Sequence, residues 1–264
     1  MVLLDDGTVM SWGSNASGQL GYATLEETSL MPTAIPDLTG VVQLAAGSDA
    51  SFALTEDGQV FGWGENDRGQ LGLGSADEDP HETPTLVPDL SGVVQIAAAN
   101  TTTFALLDDG TVVSWGRNHT GQAGIGLEGD DVLVPTQVLV AEGEPLSNID
   151  NIAGDGFVGL ALDDQGVVYA WGLGSLGQLG QGYLMGGERD LDDRLYASAV
   201  AVDDVDSDLF DIVEIEVGAG GPGLALGLEP NLFGWGWSFR GSLGLEGAIN
   251  AWAYSAPLLV FAAD

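Results

Sequence analysis

Apolar residues in this chain fall into short alternating runs punctuated by glycine. "SFALTEDG" (51–58), "TFALLDDG" (103–110) and "GLALDDQG" (159–166) set Phe52 and Leu54, Phe104 and Leu106, and Leu160 and Leu162 on one side of an extended segment. "TVMSWG" (8–13), "QVFGWG" (59–64), "TVVSWG" (111–116) and "VVYAWG" (167–172) alternate in the same way. Ahead of these pairs lie apolar runs that taper to small residues, "VVQLAAG" (41–47) and "VVQIAAA" (93–99), as a strand at a crowded inner position requires. Asp6-Gly7, Asp57-Gly58, Asp109-Gly110 and Gln165-Gly166 separate the second and third runs. Each predicts a hairpin, because such turns need a positive φ. In the last unit Glu229-Pro230-Asn231 stands there, and proline cannot supply that φ, so the turn is expected to be of another type.

The runs repeat. Trp-Gly pairs begin at 12, 63, 115, 171 and 235, with spacings that widen along the chain. The drift resolves into cores that align without a gap, 41–72, 93–124, 149–180 and 213–244 with a partial core 1–21, and connectors of variable length, 22–40, 73–92, 125–148 and 181–212. A fourth, outer strand is expected in the connectors around "TAIPDL" (33–38), "TLVPDL" (85–90), "TQVLVA" (136–141) and "PLLVFA" (257–262). Four short strands in a unit of about fifty residues, repeated, predict an all-β chain of propeller blades, residues 1–264 forming one repeat domain. A sheet apolar on both faces must be covered by its neighbours. On this reading Trp12, Trp63, Trp115, Trp171 and Trp235 are equivalent core residues packed between blades. Gly13, Gly64, Gly116, Gly172 and Gly236 then make tight turns and allow close backbone approach.

Residues 41–74, "VVQLAAGSDASFALTEDGQVFGWGENDRGQLGLG", resemble the regulator-of-chromosome-condensation repeat, of the bacterial type, and the likeness runs along essentially the whole chain. It departs at Ala99 for Gly47, Ala123 for Leu71, Ser242 for Gln70 and the missing hairpin glycine of the last unit. The resemblance implies a β-propeller, commonly closed with seven blades. Only five Trp-Gly signatures stand here, and residues 1–21 lack the counterpart of "VVQLAAGSDAS" (41–51). The expectation is therefore a fragment: about five four-stranded blades, the first incomplete, in an open arc whose exposed faces favour self-association.

Charge narrows the partners. Forty acidic residues face five arginines and no lysine, for a net charge of -35. No basic stripe exists to displace counterions from phosphates, so neither nucleic acid nor an anionic membrane is an expected partner. A high-salt habitat, cation binding, a basic partner or plain solvation would each account for the acidity. The 41 glycines follow no Gly-X-Y period and act as punctuation, and without cysteine there is no disulfide or thiolate chemistry. "MVLL" (1–4) is too short for a signal sequence and no apolar run reaches membrane length. The compartment stays open between the extracellular space and a salt-adapted cytoplasm.

Catalytic constellations are scarce. His81 ("DPHET") and His119 ("RNHTG") sit in no metal-ligand spacing, and the glycine patterns lack the lysine of a phosphate loop. Arg68 and Arg240 read as local ion-pair residues. Asp204, Asp206 and Asp208 in "DDVDSDLFD" (203–211) have the alternate spacing of a calcium loop. Leu209 and Ile215 replace its sharp-turn Gly and bidentate Glu, so a solvated loop is preferred and calcium kept as the alternative. No cofactor is otherwise expected. Identity is locked in the cores while length varies in the connectors, with 125–148 and 181–212 the most elaborated. The chain accordingly reads as a non-catalytic scaffold that presents connector loops to a protein partner, and not as an enzyme. The resemblance implies one alternative, guanine-nucleotide exchange on a small GTPase. A second is a secreted inhibitor similar to the bacterial propellers that cover β-lactamase, for which Trp237, Phe239, Trp252 and Tyr254 supply aromatics.

Overall fold

The computed structural model describes residues 1–182, 192–200, 209, 211–218, 222–228, 231–236 and 254–262, the last stretch mainly as backbone. Among them are strands and turns and no helix. The first sheet has three strands, Val2–Leu3 (β1), Val9–Ser14 (β2) and Thr28–Ala34 (β3). Four four-stranded sheets follow. They comprise Val41–Ala46 (β4), Ala50–Thr55 (β5), Val60–Asn66 (β6) and Asp77–Leu86 (β7), then Val93–Ala99 (β8), Thr102–Leu107 (β9), Val112–Gly116 (β10) and Val132–Gln137 (β11). After a small hairpin, Leu139–Ala141 (β12) with Glu144–Pro145 (β13), come Ile149–Asp155 (β14), Val158–Asp163 (β15), Val168–Gly172 (β16) and Arg194–Ala199 (β17). The last sheet is Ile212–Val217 (β18), Gly223–Gly227 (β19), Asn231–Gly236 (β20) and Tyr254–Ala262 (β21). Each is an antiparallel meander in chain order, the blade of a propeller.

The hairpin between the second and third strands is a three-residue loop. In the second blade Gly58 N–H donates to the Thr55 carbonyl at 2.9 Å and Thr55 N–H to the Gln59 carbonyl at 2.9 Å, with Gly58 at φ 71°. Only the glycine is left-handed, so the turn is type I followed by a glycine bulge. The same glycine ties blades together: the carbonyls of Gly58, Gly110 and Gly166 accept the first inner-strand N–H of the next blade, from Val93, Ile149 and Ile212, at 3.2, 3.0 and 3.2 Å.

Three expectations are corrected. Two outer strands lie largely upstream of the apolar stretches that suggested them: β3 ends at Ala34 and β7 at Leu86, while Pro36–Leu38 and Pro88–Leu90 form the turn into the next blade, with Asp37 at φ 60° and Asp89 at φ 55°; in the last blade the stretch 257–262 lies within β21. The inner strand of the last blade begins at Ile212, not 213. Ile212 pairs with Gly227 as Val41 pairs with Thr55. The third correction is Trp12, which is 44% exposed where Trp63, Trp115, Trp171 and Trp235 are at 0%. Pro230, Ser242, Trp237, Phe239 and Trp252 lie outside the described residues, and Tyr254 is described only in its backbone.

The core sits between blades. Phe52, Leu54 and Val60 of the second blade pack with Val93, Ile96, Ala105 and Trp115 of the third. Phe104 and Leu106 meet Ile149, Ile152 and Trp171, and Leu160 and Leu162 meet Ile212, Ile215 and Trp235. Phe104 and Trp171 stack edge to face, centroids 5.5 Å apart. Trp12 is exposed because burial of this residue type needs a preceding blade. At the other end Leu224, Leu226 and Leu232, the counterparts of Phe52, Leu54 and Val60, are only half-buried around an apolar recess of about 190 Å³.

Candidate functional site

The signature that follows each Trp-Gly pair is built to hold the next blade. Asn15, Asn66 and Asn118 each accept, through Oδ1, the backbone N–H five residues on: Leu20 at 3.0 Å, Leu71 at 3.2 Å and Ala123 at 3.1 Å. The signature glutamine closes the same loop, its Oε1 accepting from Ser17, Arg68 and Thr120 N–H at 2.9, 2.8 and 2.8 Å. The loop so shaped offers the glutamine carbonyl outward. Trp63 Nε1 donates to the Gln19 carbonyl at 3.0 Å, Trp115 to Gln70 at 2.8 Å, Trp171 to Gln122 at 3.1 Å and Trp235 to Gln178 at 2.9 Å. Gly21, Gly72, Gly124 and Gly180 lie against the same indoles, where a Cβ would collide. A signature therefore serves the tryptophan of the following blade and not its own.

A second fastener was hidden in an apolar run. Gln43 on β4 donates from Nε2 to the Ile96 carbonyl at 3.0 Å and accepts Ile96 N–H at Oε1, 2.9 Å. Gln95 does the same to Ile152, at 2.9 Å for both bonds. The amide mimics a backbone unit and joins inner strands that do not pair directly. A lone Gln inside "VVQLAA" and "VVQIAA" was the available signal. These strands also line a wall recess of about 280 Å³.

The signature loops and the turns between first and second strands lie on one rim of the blades. There Glu65, Asp67, Glu78 and Asp79, with Ala16, Ser17, Asn66 and Pro80, wall a cleft of about 220 Å³ between the first two blades. Burial, and then the carboxylates of Asp67 and Asp49, push the Glu65 carboxyl above its ordinary range. Asp77 goes the other way: burial raises it, but hydrogen bonds from Asn66 Nδ2 (3.0 Å) and His81 (3.0 Å) outweigh that and leave it lowered. His119 Nε2 and Arg68 Nη1 both reach Asp131, at 3.5 and 3.8 Å, and Arg68 Nε also meets Asp67 at 3.6 Å. Both histidines thus sit beside a carboxylate that the sequence did not point to. Among the described residues no group of three or more His, Asp or Glu converges as a metal site. Asp204, Asp206 and Asp208 lie outside the described residues. The connector 125–148 spends its extra length on the β12–β13 hairpin, anchored by buried Val138 and Leu146 and placed on the opposite rim.

Known proteins are similar to this chain in sequence and in fold. The ultraviolet-B receptor UVR8 of Arabidopsis thaliana is 35% identical over 187 residues, 69% of this chain and 41% of the receptor. The human probable E3 ubiquitin-protein ligase HERC6 is 37% identical over 182 residues, 66% of this chain and 17% of the ligase. The chain thus spans less than half the length of these relatives. Yeast RCC1 (Prp20), in its crystal structure with Kap60, superposes with a TM-score of 0.77 at 24% identity, over 97% of this chain and 59% of that one. Human WBSCR16 gives 0.76 at 24% identity, over 95% and 61%. These two likenesses bear on the fold. The family model for the RCC1-like domain matches residues 1–260, and with the repeated signature fastening blade to blade, the chain belongs to the RCC1-like domain family.

Proposed function

We propose that this chain is a non-catalytic protein-interaction scaffold whose partner meets the signature-loop rim, with no cofactor required. One observation carries the reading. Asn15, Asn66 and Asn118 and the indoles of Trp63, Trp115, Trp171 and Trp235 are occupied in shaping the signature loops and fastening blades, whereas Glu65, Asp67, Glu78 and Asp79 gather on an open cleft. Such a surface suits a basic protein segment, whose association the acidic field accelerates. Affinity capture from an extract of the source organism, at low and high salt, tests it. A partner held by the parent chain and lost with the quadruple variant Glu65→Gln, Asp67→Asn, Glu78→Gln, Asp79→Asn is expected. Equal capture by both chains would contradict the reading.

A further inference from the structure

The side-chain amide of the signature glutamine finds a carboxylate in the first two blades. Gln19 Nε2 donates to Asp49 Oδ1 of the next blade at 2.8 Å, and Gln70 Nε2 donates to Glu65 Oε2 and Asp67 Oδ1 of its own blade, each at 3.2 Å. At Gln122 every one of these acceptor positions has changed. Arg117 stands at the place of Glu65, His119 at that of Asp67, and Phe157, in the next blade, at that of Asp49.

The consequence is a pair of buried donors with nothing to donate to. Gln122 is 1% exposed and its Nε2 has no partner. The amide cannot turn to avoid this, because Oε1 already accepts from Thr120 N at 2.8 Å and Thr120 Oγ1 at 3.0 Å. Arg117 Nε is buried and unpartnered as well, with the guanidinium set over the Phe157 ring, 5.3 Å from its centroid. Buried donors left unmade are rare and point to a missing acceptor. Arg117 holds the repeat position from which Glu65 meets Gln70 one blade earlier, and a guanidinium together with an amide offers the donors that a carboxylate takes.

We propose that the Arg117–Gln122 corner binds a carboxylate, supplied by an acidic side chain of a docking protein, where Glu65 serves Gln70 one blade earlier. The source of the carboxylate rests on the interaction-scaffold reading; the preference for a carboxylate does not. The whole chain, labelled with nitrogen-15, is titrated with sodium acetate against sodium chloride at constant ionic strength. The Arg117 Nε–H and Gln122 Nε2–H resonances are expected to shift saturably with acetate alone. The shift is lost in Arg117→Glu, where the chain supplies its own carboxylate, and in Arg117→Met. The peptide acetyl-Lys-Glu-Lys-amide is expected to move the same resonances at lower concentration than acetate, its lysines answering the acidic surroundings. No saturable response to acetate, an equal response to chloride, a response that survives Arg117→Glu, or a Gln122 amide in contact only with a bound water throughout, overturns the site. Acetate binding with no response to the peptide overturns the protein source.

Discussion

Burial of the signature tryptophan depends on a neighbour in the preceding blade, so identical residues carry different weight. Trp115 is enclosed and hydrogen-bonded to Gln70, and Trp115→Ala is expected to lower stability by about 3–5 kcal/mol in denaturant unfolding. Trp12, at 44% exposure, should lose about 1 kcal/mol or less on the same change. Gln43→Leu would leave both polar groups of the Ile96 backbone without their partner, at a cost of about 1–3 kcal/mol. Glu65 gives a pH signature. Its folded pKa is raised, so the folded state keeps a proton that the unfolded chain has released, and stability falls as pH rises from the ordinary Glu value through the folded one. Glu65→Gln should therefore melt higher than the parent at pH 7 and alike at a pH below that window.

At the scale of elements, the glycine after each tryptophan separates two causes of strain. Gly13 and Gly64 share a positive φ, 107° and 103°, but a Cβ at Gly64 would run into the Asp49 carbonyl while one at Gly13 meets nothing within 4 Å. Gly64→Ala should lower the melting temperature clearly more than Gly13→Ala, since only the first adds a collision to the conformational penalty. Alternation made β2, β5, β6, β9 and β10 readable from sequence, and the Asp-Gly pairs located their hairpins. The outer strands of the first two blades were misplaced for a physical reason: β7, "DEDPHETPTL", is exposed along most of its length and held by backbone pairing to β6, so it carries no apolar period. The candidate site was less legible still. An amide in a signature loop reads the same whether its hydrogens meet Glu65 and Asp67 or nothing, and the difference lies in residues from 3 positions away to the next blade.

Across the whole molecule, acidity and fastening oppose each other. A net charge of -35 repels itself, so stability should rise with sodium chloride as screening shortens the range of that repulsion, an outcome that melting curves from 0.01 M to about 1 M salt would read. Fasteners from Gln19 to Trp63 and onward resist it by joining neighbours in series, and they divide the signature tryptophans into four held by the preceding blade and Trp12, which is not. Hydrogen exchange of the indole Nε1–H groups, resolved by nuclear magnetic resonance, tests that division most directly. Strong protection of Trp63, Trp115, Trp171 and Trp235 with rapid exchange of Trp12 is predicted, because only the first four donate to a carbonyl of the preceding blade. Equal exchange at all five would contradict the claim that each signature fastens the blade after it.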